Sequence, residues 1–320
     1  MIVCITGSNG YIGSKLATAL LKSDHQVYGI DVASSNIREL AAKPNYRFVQ
    51  SDIADSRDLF QHLGSVDVAI HCAALVHRKS NDLSKENYVK VNYEGTRNVV
   101  SALRNKGLAQ FIFLSTVSVY GETVRKTPDG LSEPNPVDFY GESKLMAEKT
   151  IREFSKAQHV PCTILRLCPV YGRDFLVNIA KRVYLPKRIG FYRISPGDQR
   201  ISLCSVNNLT HVILACMKAP GLYNGTFVIK DRDDYSINEI IAVLRDVFCQ
   251  HRRPVVSIPP LLPRLFLRSL CLFSSARTGL YRYQMTKIAH DSLFPVNKIR
   301  PLGIELRWNL ESTLRDGIDL

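Results

Sequence analysis

Through the first half of the chain, apolar positions come in short unbroken runs separated by longer stretches in which they recur every three or four residues. The runs IVCIT (2–6), QVYGID (26–31), RFVQSD (47–52), VDVAIHCA (66–73), QFIFLST (110–116) and CTILRL (162–167) are rich in β-branched and aromatic residues and predict strands. The longest stretch between them, KENYVKVNYEGTRNVVSALRNKG (85–107), sets Val91, Val99 and Leu103 on a helical pattern, and YGESKLMAEKTIREFS (140–155) reads as a further helix. Strands alternating with helices predict a doubly wound parallel α/β sheet, because parallel neighbours need a helical crossover.

After Gly172 the rhythm changes to short strands, prolines and basic helices. LCSVNNLTHVILACMKA (203–219) reads as a helix capped by Ser205, TFVIK (226–230) as a strand, and SINEIIAVLRDVFC (236–249) as a helix whose Ser236 and Glu239 match a capping box. The chain therefore divides into a dinucleotide-binding part, 1–172, and a smaller α/β substrate-binding lobe, 173–320, partly interleaved with it. The lobe elaborates the C-terminal end of the sheet, where doubly wound folds bind ligands.

Composition narrows the class. A chain of 320 residues, 45% hydrophobic and 22% charged, buries a full core. It opens directly on a strand, MIVCITG, so secretion is not expected. Its most apolar stretch, IPPLLPRLFLRSLCLF (258–273), is interrupted by prolines and arginines, so a transmembrane span is not expected either. The eight cysteines stand singly, several inside strand patterns and none in a C-x-x-C pair, which fits a reducing cytoplasm and no zinc site. Residues 173–320 hold 22 Lys and Arg against 12 Asp and Glu and so carry most of the net charge of +13. A basic lobe calls for an anionic partner, either a diphosphate ligand, nucleic acid or an acidic membrane face. It lacks the interleaved aromatics on which nucleic-acid bases stack, so nucleic acid is not the expected partner.

The stretch TGSNGYIGSKLATALL places Gly7, Gly10 and Gly13 between the first strand and an amphipathic helix. This spacing makes a tight turn, brings backbone close to a pyrophosphate and aims a helix N-terminus at it, with Tyr11 and Ile12 inside the same turn. Asp31 ends the second strand, where a carboxylate accepts from two ribose hydroxyls and repels a 2′-phosphate, so NAD is expected rather than NADP. Asp52 and Ile53, after the third strand, stand where an adenine amine and ring would lie. HCAA (71–74) ends the fourth strand in small residues, with Ala73 and Ala74 leaving room for a cofactor.

Tyr140 and Lys144, spaced Y-x-x-x-K, share one face of a helix. An ammonium near a phenol favours the phenolate and lowers a pKa that is about 10 when unperturbed, so the tyrosine becomes a proton carrier. A third hydroxyl should polarise the substrate oxygen, and Ser115, Thr116 and Ser118 at the end of the fifth strand compete for that role. Three other tyrosines, Tyr28, Tyr120 and Tyr171, precede a glycine. Of these, Tyr171 reads as a packing ring, and His71, inside a strand pattern, as a core histidine.

The chain resembles an extended short-chain dehydrogenase/reductase of the nucleotide-sugar epimerase and reductase group. The matching residues are TGSNGYIG (6–13), Asp31, Asp52-Ile53, HCAA, VNYEGTRN (91–98), STVSVYG (115–121), YGESK (140–144) and LRLCPVYG (165–172). The resemblance implies a Rossmann sheet with bound NAD. It makes Tyr140 the general acid/base, Lys144 its modulator and Thr116 the paired hydroxyl, with Asn92 supporting the site. It places Ser115 and Val170 against the cofactor, Ser118 beside the substrate, and Asn178 and Arg200 on the diphosphate of a nucleoside-diphosphate sugar. It also implies a homodimer.

Two departures sharpen this expectation. Members that dehydrate the sugar carry an Asp-Glu pair directly after the threonine, where this chain has Val117 and Ser118; members of the galactose type carry an asparagine where this chain has Pro169. The expected activity is oxidoreduction at C4 of a UDP-N-acetylhexosamine derivative in polysaccharide biosynthesis, as a 4-epimerase or a 4-ketoreductase. A ketone reductase for a non-sugar substrate and a non-catalytic dinucleotide-binding regulator are the alternatives. Because polysaccharide assembly occurs at membranes, the basic apolar stretch from Arg252 to Arg277 adds weak peripheral association with a membrane, Arg264 and Arg268 meeting the headgroups.

Overall fold

The computed structural model describes residues 1–34, 38–55, 63–76, 84–121, 133–263, 265, 290–295 and 303–315. Arg264, Arg268, His77 and Cys271 lie outside them. In chain order the structure runs β1 (Ile2–Thr6), α1 (Tyr11–Lys22), β2 (Gln26–Asp31), α2 (Arg38–Ala41), β3 (Tyr46–Gln50) and β4 (Val68–His71). A continuous helix follows in three segments: α3 (Lys85–Tyr88), a π-helical stretch (Val89–Glu94) and α4 (Gly95–Ala102). Then come β5 (Gln110–Thr116), a 3-10 turn (Val117–Tyr120), α5 (Phe139–Gln158), β6 (Cys162–Leu167), β7 (Val170–Tyr171) and α6 (Val177–Val183). The rest comprises β8 (Phe191–Ile194), β9 (Arg200–Ser202), β10 (Cys204–Ser205), α7 (Val206–Cys216), β11 (Thr226–Ile229), β12 (Asp234–Ser236), α8 (Ile237–Val247), β13 (Val255–Ile258) and α9 (Leu310–Arg315).

Seven strands form one parallel sheet in the order β11-β6-β5-β4-β1-β2-β3. Every residue of β5 and β6 is buried, as sheets covered on both faces require. One face packs α1 and α7 through Leu16, Leu20, Leu209 and Ile213, and the other packs α4 and α5 through Val99, Leu103, Ala147 and Ile151. A third core, built around Tyr171, Phe191 and Leu244, holds the second lobe.

The six sequence-predicted strands form with small changes of boundary, and Ser205 and the Ser236–Glu239 capping box close α7 and α8 as expected. TFVIK has a larger role than a strand of the second lobe: it is β11, paired in parallel with β6 at the edge of the main sheet. The sheet is thus completed by residues beyond 172.

The strand order turns back on either side of β1, whose neighbours are β2 and β4. Loops leaving β1 and β4 therefore diverge and open a crevice at the C-terminal edge of the sheet. Gly7, at φ +69°, makes the turn there, and a methyl group at Gly13 would lie 2.1 Å from the Gly7 oxygen, so only glycine lets α1 sit directly on that turn.

Candidate active site

The cofactor side of the crevice is built from the glycine turn. The Gly7 and Ser8 N–H groups donate to the Ile30 carbonyl at 2.7 and 3.2 Å, fixing the turn against β2. Gly10 caps α1 with no side-chain hydrogen bond and with no acid in the first turn, leaving the helix N-terminus to an anion. Asp31 accepts from the Asn9 N–H at 2.9 Å and the Ala33 N–H at 3.2 Å. Beside it the Asn9 Oδ1 is enclosed with no hydrogen-bond partner, an acceptor still open to a ligand's donor. These features fit a dinucleotide. Tyr11 does not face it with its hydroxyl, which donates to Asp174 at 3.0 Å while the ring stacks on Phe175 with centroids 4.3 Å apart.

Asp52 is exposed and closes its own turn by accepting from the Ala54 N–H at 2.9 Å. The Ile53 side chain is buried and fills the space over Gly95, and the Asn98 amide donates to the Ile53 carbonyl. Its side chain is therefore committed to the core, where the sequence reading had it flank an adenine. Ala73 and Ala74 follow β4 half-buried, with the Ala73 N–H donating to Thr6 Oγ1 at 3.3 Å.

That bond begins a wired chain. The Thr96 hydroxyl donates to the Asn92 carbonyl at 2.6 Å, so its oxygen accepts from His71 Nε2–H at 2.9 Å, and His71 Nδ1 accepts from the Thr6 hydroxyl at 2.5 Å. Burial, with the Lys144 charge adding to it, brings the imidazole down to about 3, so His71 is a neutral core histidine.

Tyr140 stands in the first turn of α5, whose N-cap Asp138 accepts from the Gly141 N–H at 2.6 Å. Opposite it β5 ends at Thr116, and the 3-10 turn folds back so that the Ser118 N–H donates to Thr116 Oγ1 at 3.1 Å. The Thr116 hydroxyl is thereby free to donate to the Tyr140 phenol, and the two are hydrogen-bonded. Of the three competing hydroxyls, Thr116 is the one joined to Tyr140. Gly141 permits this approach: a methyl group there would lie 2.6 Å from the Ser118 oxygen and 3.0 Å from its carbonyl carbon. Tyr88, buried, walls the phenol with ring centroids 6.1 Å apart.

Lys144 lies one turn along α5, only 2% exposed, with Nζ 4.0 Å from the centre of the Phe113 ring. Burial lowers its ammonium to about 7, against the opposing charge of Glu148. Tyr140 moves the other way: burial, then the Asp138 charge, raise the phenol above its ordinary range, with the Thr116 hydrogen bond pulling it back. The sequence reading had Lys144 lower the phenol. In the folded chain burial dominates instead, because it disfavours the charged form of both groups.

Ser115 points to the other face of β5 and donates to Glu148 Oε1 at 2.6 Å. Glu148 in turn accepts from Arg166 through two bonds of 3.0 and 2.7 Å, a buried bidentate pair under the site, with the Arg166 guanidinium 4.7 Å over the Tyr120 ring. The Ser115 side chain is thus bonded to this pair. Asn92, in the π-helical stretch, accepts from the Leu75 N–H at 2.7 Å and donates to the Leu75 carbonyl and to Ser143 Oγ at 3.1 and 3.0 Å. Ser143 donates to the Tyr140 carbonyl at 2.8 Å, so Asn92 ties the loop after β4 to the turn that carries Tyr140. A π-turn there aims the asparagine inward.

Both second-lobe candidates have hydrogen-bond partners within the chain. The Asn178 amide donates to the carbonyl of Val170, itself buried in β7, at 2.9 Å. Arg200, exposed on β9, donates through its guanidinium to the Asp234 carbonyl at 2.6 Å and through its N–H to Asp291 at 2.8 Å. Tyr171 is a fully buried ring, as expected, with its hydroxyl donating to Asp231 at 2.7 Å. Sequence reading missed Asp138, Tyr88, Gly141 and the Glu148–Arg166 pair; the acid before FYGESK and the glycine after Tyr140 were the signals available for two of them.

A parallel sheet with a glycine turn on one side of its crevice and a paired threonine and tyrosine backed by lysine on the other defines an enzyme of the short-chain dehydrogenase/reductase class. The chain belongs to the NAD dependent epimerase/dehydratase family, matched over residues 3–229, a span that ends with the last strand of the main sheet. It is 32% identical to a UDP-glucose 4-epimerase of Vibrio cholerae, over 76% of this chain and 74% of that one. It is 28% identical to an N-acetyl-α-D-glucosaminyl-diphospho-ditrans,octacis-undecaprenol 4-epimerase of Escherichia coli O157:H7, over 99% of this chain and 93% of the relative. The fold superposes on a UDP-glucuronic acid 4-epimerase of Bacillus cereus, solved with NAD, with a TM-score of 0.76 at 23% identity, covering 98% and 96% of the two chains.

Proposed function

We propose that the protein inverts C4 of an N-acetylhexosamine held on a diphosphate carrier, with NAD along the glycine turn and Tyr140 carrying the proton. The Thr116–Tyr140 hydrogen bond at the end of β5, with Lys144 buried one turn away, carries this reading. NAD, when bound, takes up and returns the hydride of C4. Gly10 and the start of α1 would hold its pyrophosphate and Asp31 its adenosine ribose. Thr116 donates to the sugar oxygen or the phenol, Tyr140 removes and returns the hydroxyl proton, and Asn92 holds the turn on which Tyr140 stands.

Both curated relatives bear the name of a 4-epimerase, and one acts on an N-acetylglucosaminyl diphosphate, which supports the sugar class. Elimination of water needs an acid and a base beside the threonine. Val117 is a buried alkyl chain that moves no proton, which argues against dehydration. Pro169 favours a second reading, reduction of a 4-keto sugar. The carrier is uridine diphosphate on the sequence reading.

The test is to release and assay the cofactor of the purified protein, then incubate it with UDP-N-acetylglucosamine and with the polyprenyl-diphosphate sugar. The proposal expects tightly held NAD and an equilibrium of C4 epimers without net NADH change. Stoichiometric consumption of NADH with a 4-keto sugar would instead establish the reductase, and no cofactor with no turnover would refute both.

A further inference from the structure

The loop between α6 and β8 is a closed fingertip. Its base is a bridge between Tyr184 and Phe191, whose rings stack with centroids 4.7 Å apart, and the Leu185 N–H donates to the Gly190 carbonyl at 3.0 Å. At the tip, Pro186-Lys187-Arg188-Ile189, both Lys187 and Arg188 hold a left-handed backbone at φ +55°. Residues with a Cβ adopt that conformation only where their surroundings enforce it. The result is two cations and an aliphatic side chain on the surface: Lys187 and Arg188 are exposed, and Ile189 is 67% exposed.

The neighbouring ribbon continues the pattern. β13 runs parallel to β8, and the Arg253 guanidinium donates to the Arg188 carbonyl, which sets Arg252 and Arg253 beside the tip. Val256 on β13 and Leu261 and Leu262 on the turn beyond it are exposed. No carboxylate occurs from Phe175 to Gly197 or between Asp246 and Asp291. Loop tips facing water carry small polar residues; an isoleucine ringed by cations does not fit that use.

We propose that this fingertip and the β13 turn dock the protein on an anionic lipid surface, Ile189, Leu261 and Leu262 entering the interface while Lys187, Arg188, Arg252 and Arg253 meet the headgroups. Charge complementarity selects this occupant. A second copy would bring like charges together. Nucleic acid would need exposed rings, and the rings here, Tyr184 and Phe191, are buried at the base.

The experiment is sedimentation of the full chain with vesicles of phosphatidylcholine alone or mixed with phosphatidylglycerol. Binding is expected only to the anionic vesicles, reversed by raised salt, and weakened roughly tenfold or more in Ile189→Ser and in Lys187→Gln/Arg252→Gln. Unchanged thermal midpoints certify that both variants fold. Protein left in the supernatant with every vesicle, binding equal on neutral vesicles or untouched by both variants, or self-association that Ile189→Ser dissolves, would each overturn the proposal. None of these readouts involves turnover, so failure here leaves the reading of the active site standing.

Discussion

Gly141→Ala isolates the approach of Tyr140 to Thr116. The added methyl would sit 2.6 Å from the Ser118 oxygen and 3.0 Å from its carbonyl carbon, both main-chain atoms of the turn that holds Thr116. Relaxing the closer contact to the ~3.5 Å of an ordinary one requires a separation of about 0.9 Å between α5 and the 3-10 turn. Misplacement by about 1 Å costs on the order of 10²-fold in rate, or ~2.7 kcal/mol of barrier. Stability responds less, because alanine's gain in helix propensity of about 1 kcal/mol partly offsets an overpacking cost of ~1–3 kcal/mol. The expected variant is folded, melts within a few degrees of wild type, binds NAD normally and has kcat lowered about a hundredfold. Turnover, a thermal melt and a cofactor titration measure the three quantities. A kcat within threefold of wild type would show that the contact does not set the Tyr140 position.

Three further outcomes follow from the same geometry. Tyr140→Phe should lower kcat by roughly 10²–10⁴-fold with NAD affinity unchanged, read by turnover and by titration; retained turnover removes the phenol from the proton path. Glu148→Gln leaves Arg166 buried without its counter-ion and should cost about 3–5 kcal/mol in urea unfolding, most of it recovered by adding Arg166→Met; an unshifted midpoint would show that the pair is not structural. Lys144 is lowered to about 7, so between pH 7 and its unfolded value the unfolded chain binds more protons and stability rises with pH. Replacement by Met should therefore stabilise the cofactor-free protein most near pH 6, with the gap to wild type closing toward pH 10. A gap that stays constant across that range would mean that Lys144 remains charged.

The apolar runs were readable because strands covered on both faces must be apolar throughout, and β5 and β6 are buried at every position. The glycine triplet and the four-residue step from Tyr140 to Lys144 were readable because turn geometry and helix pitch are local. What escaped is non-local. TFVIK carries no mark of which sheet it joins, since β11 pairs with partners in β6 that stand 62 positions earlier in the chain, Thr226 with Ile164. Ser115 is adjacent to Thr116, yet alternation along β5 sends one hydroxyl to Glu148 and the other to Tyr140. The π-turn that aims Asn92 inward has no signature in VNYEGTRN. Asp138 and Gly141, by contrast, stood in plain sight as a helix cap and a small residue flanking Tyr140.

The protonation of the site follows from burial more than from charge pairing. Glu148, four residues after Lys144, is the natural counter-charge, but its oxygens are taken by Arg166 and Ser115, so Lys144 gains only part of that attraction and stays low. His71, near enough for the Lys144 charge to act on it, is locked neutral between Thr6 and Thr96 and accepts no further proton. The phenol of Tyr140, raised by its surroundings, keeps its proton. Near neutral pH, Lys144, lowered to about 7, is therefore the group in this cluster whose charge is in balance. The Y-x-x-x-K spacing sets Tyr140 and Lys144 one turn apart on α5, but burial and the prior commitment of Glu148 to Arg166 decide the protonation of each.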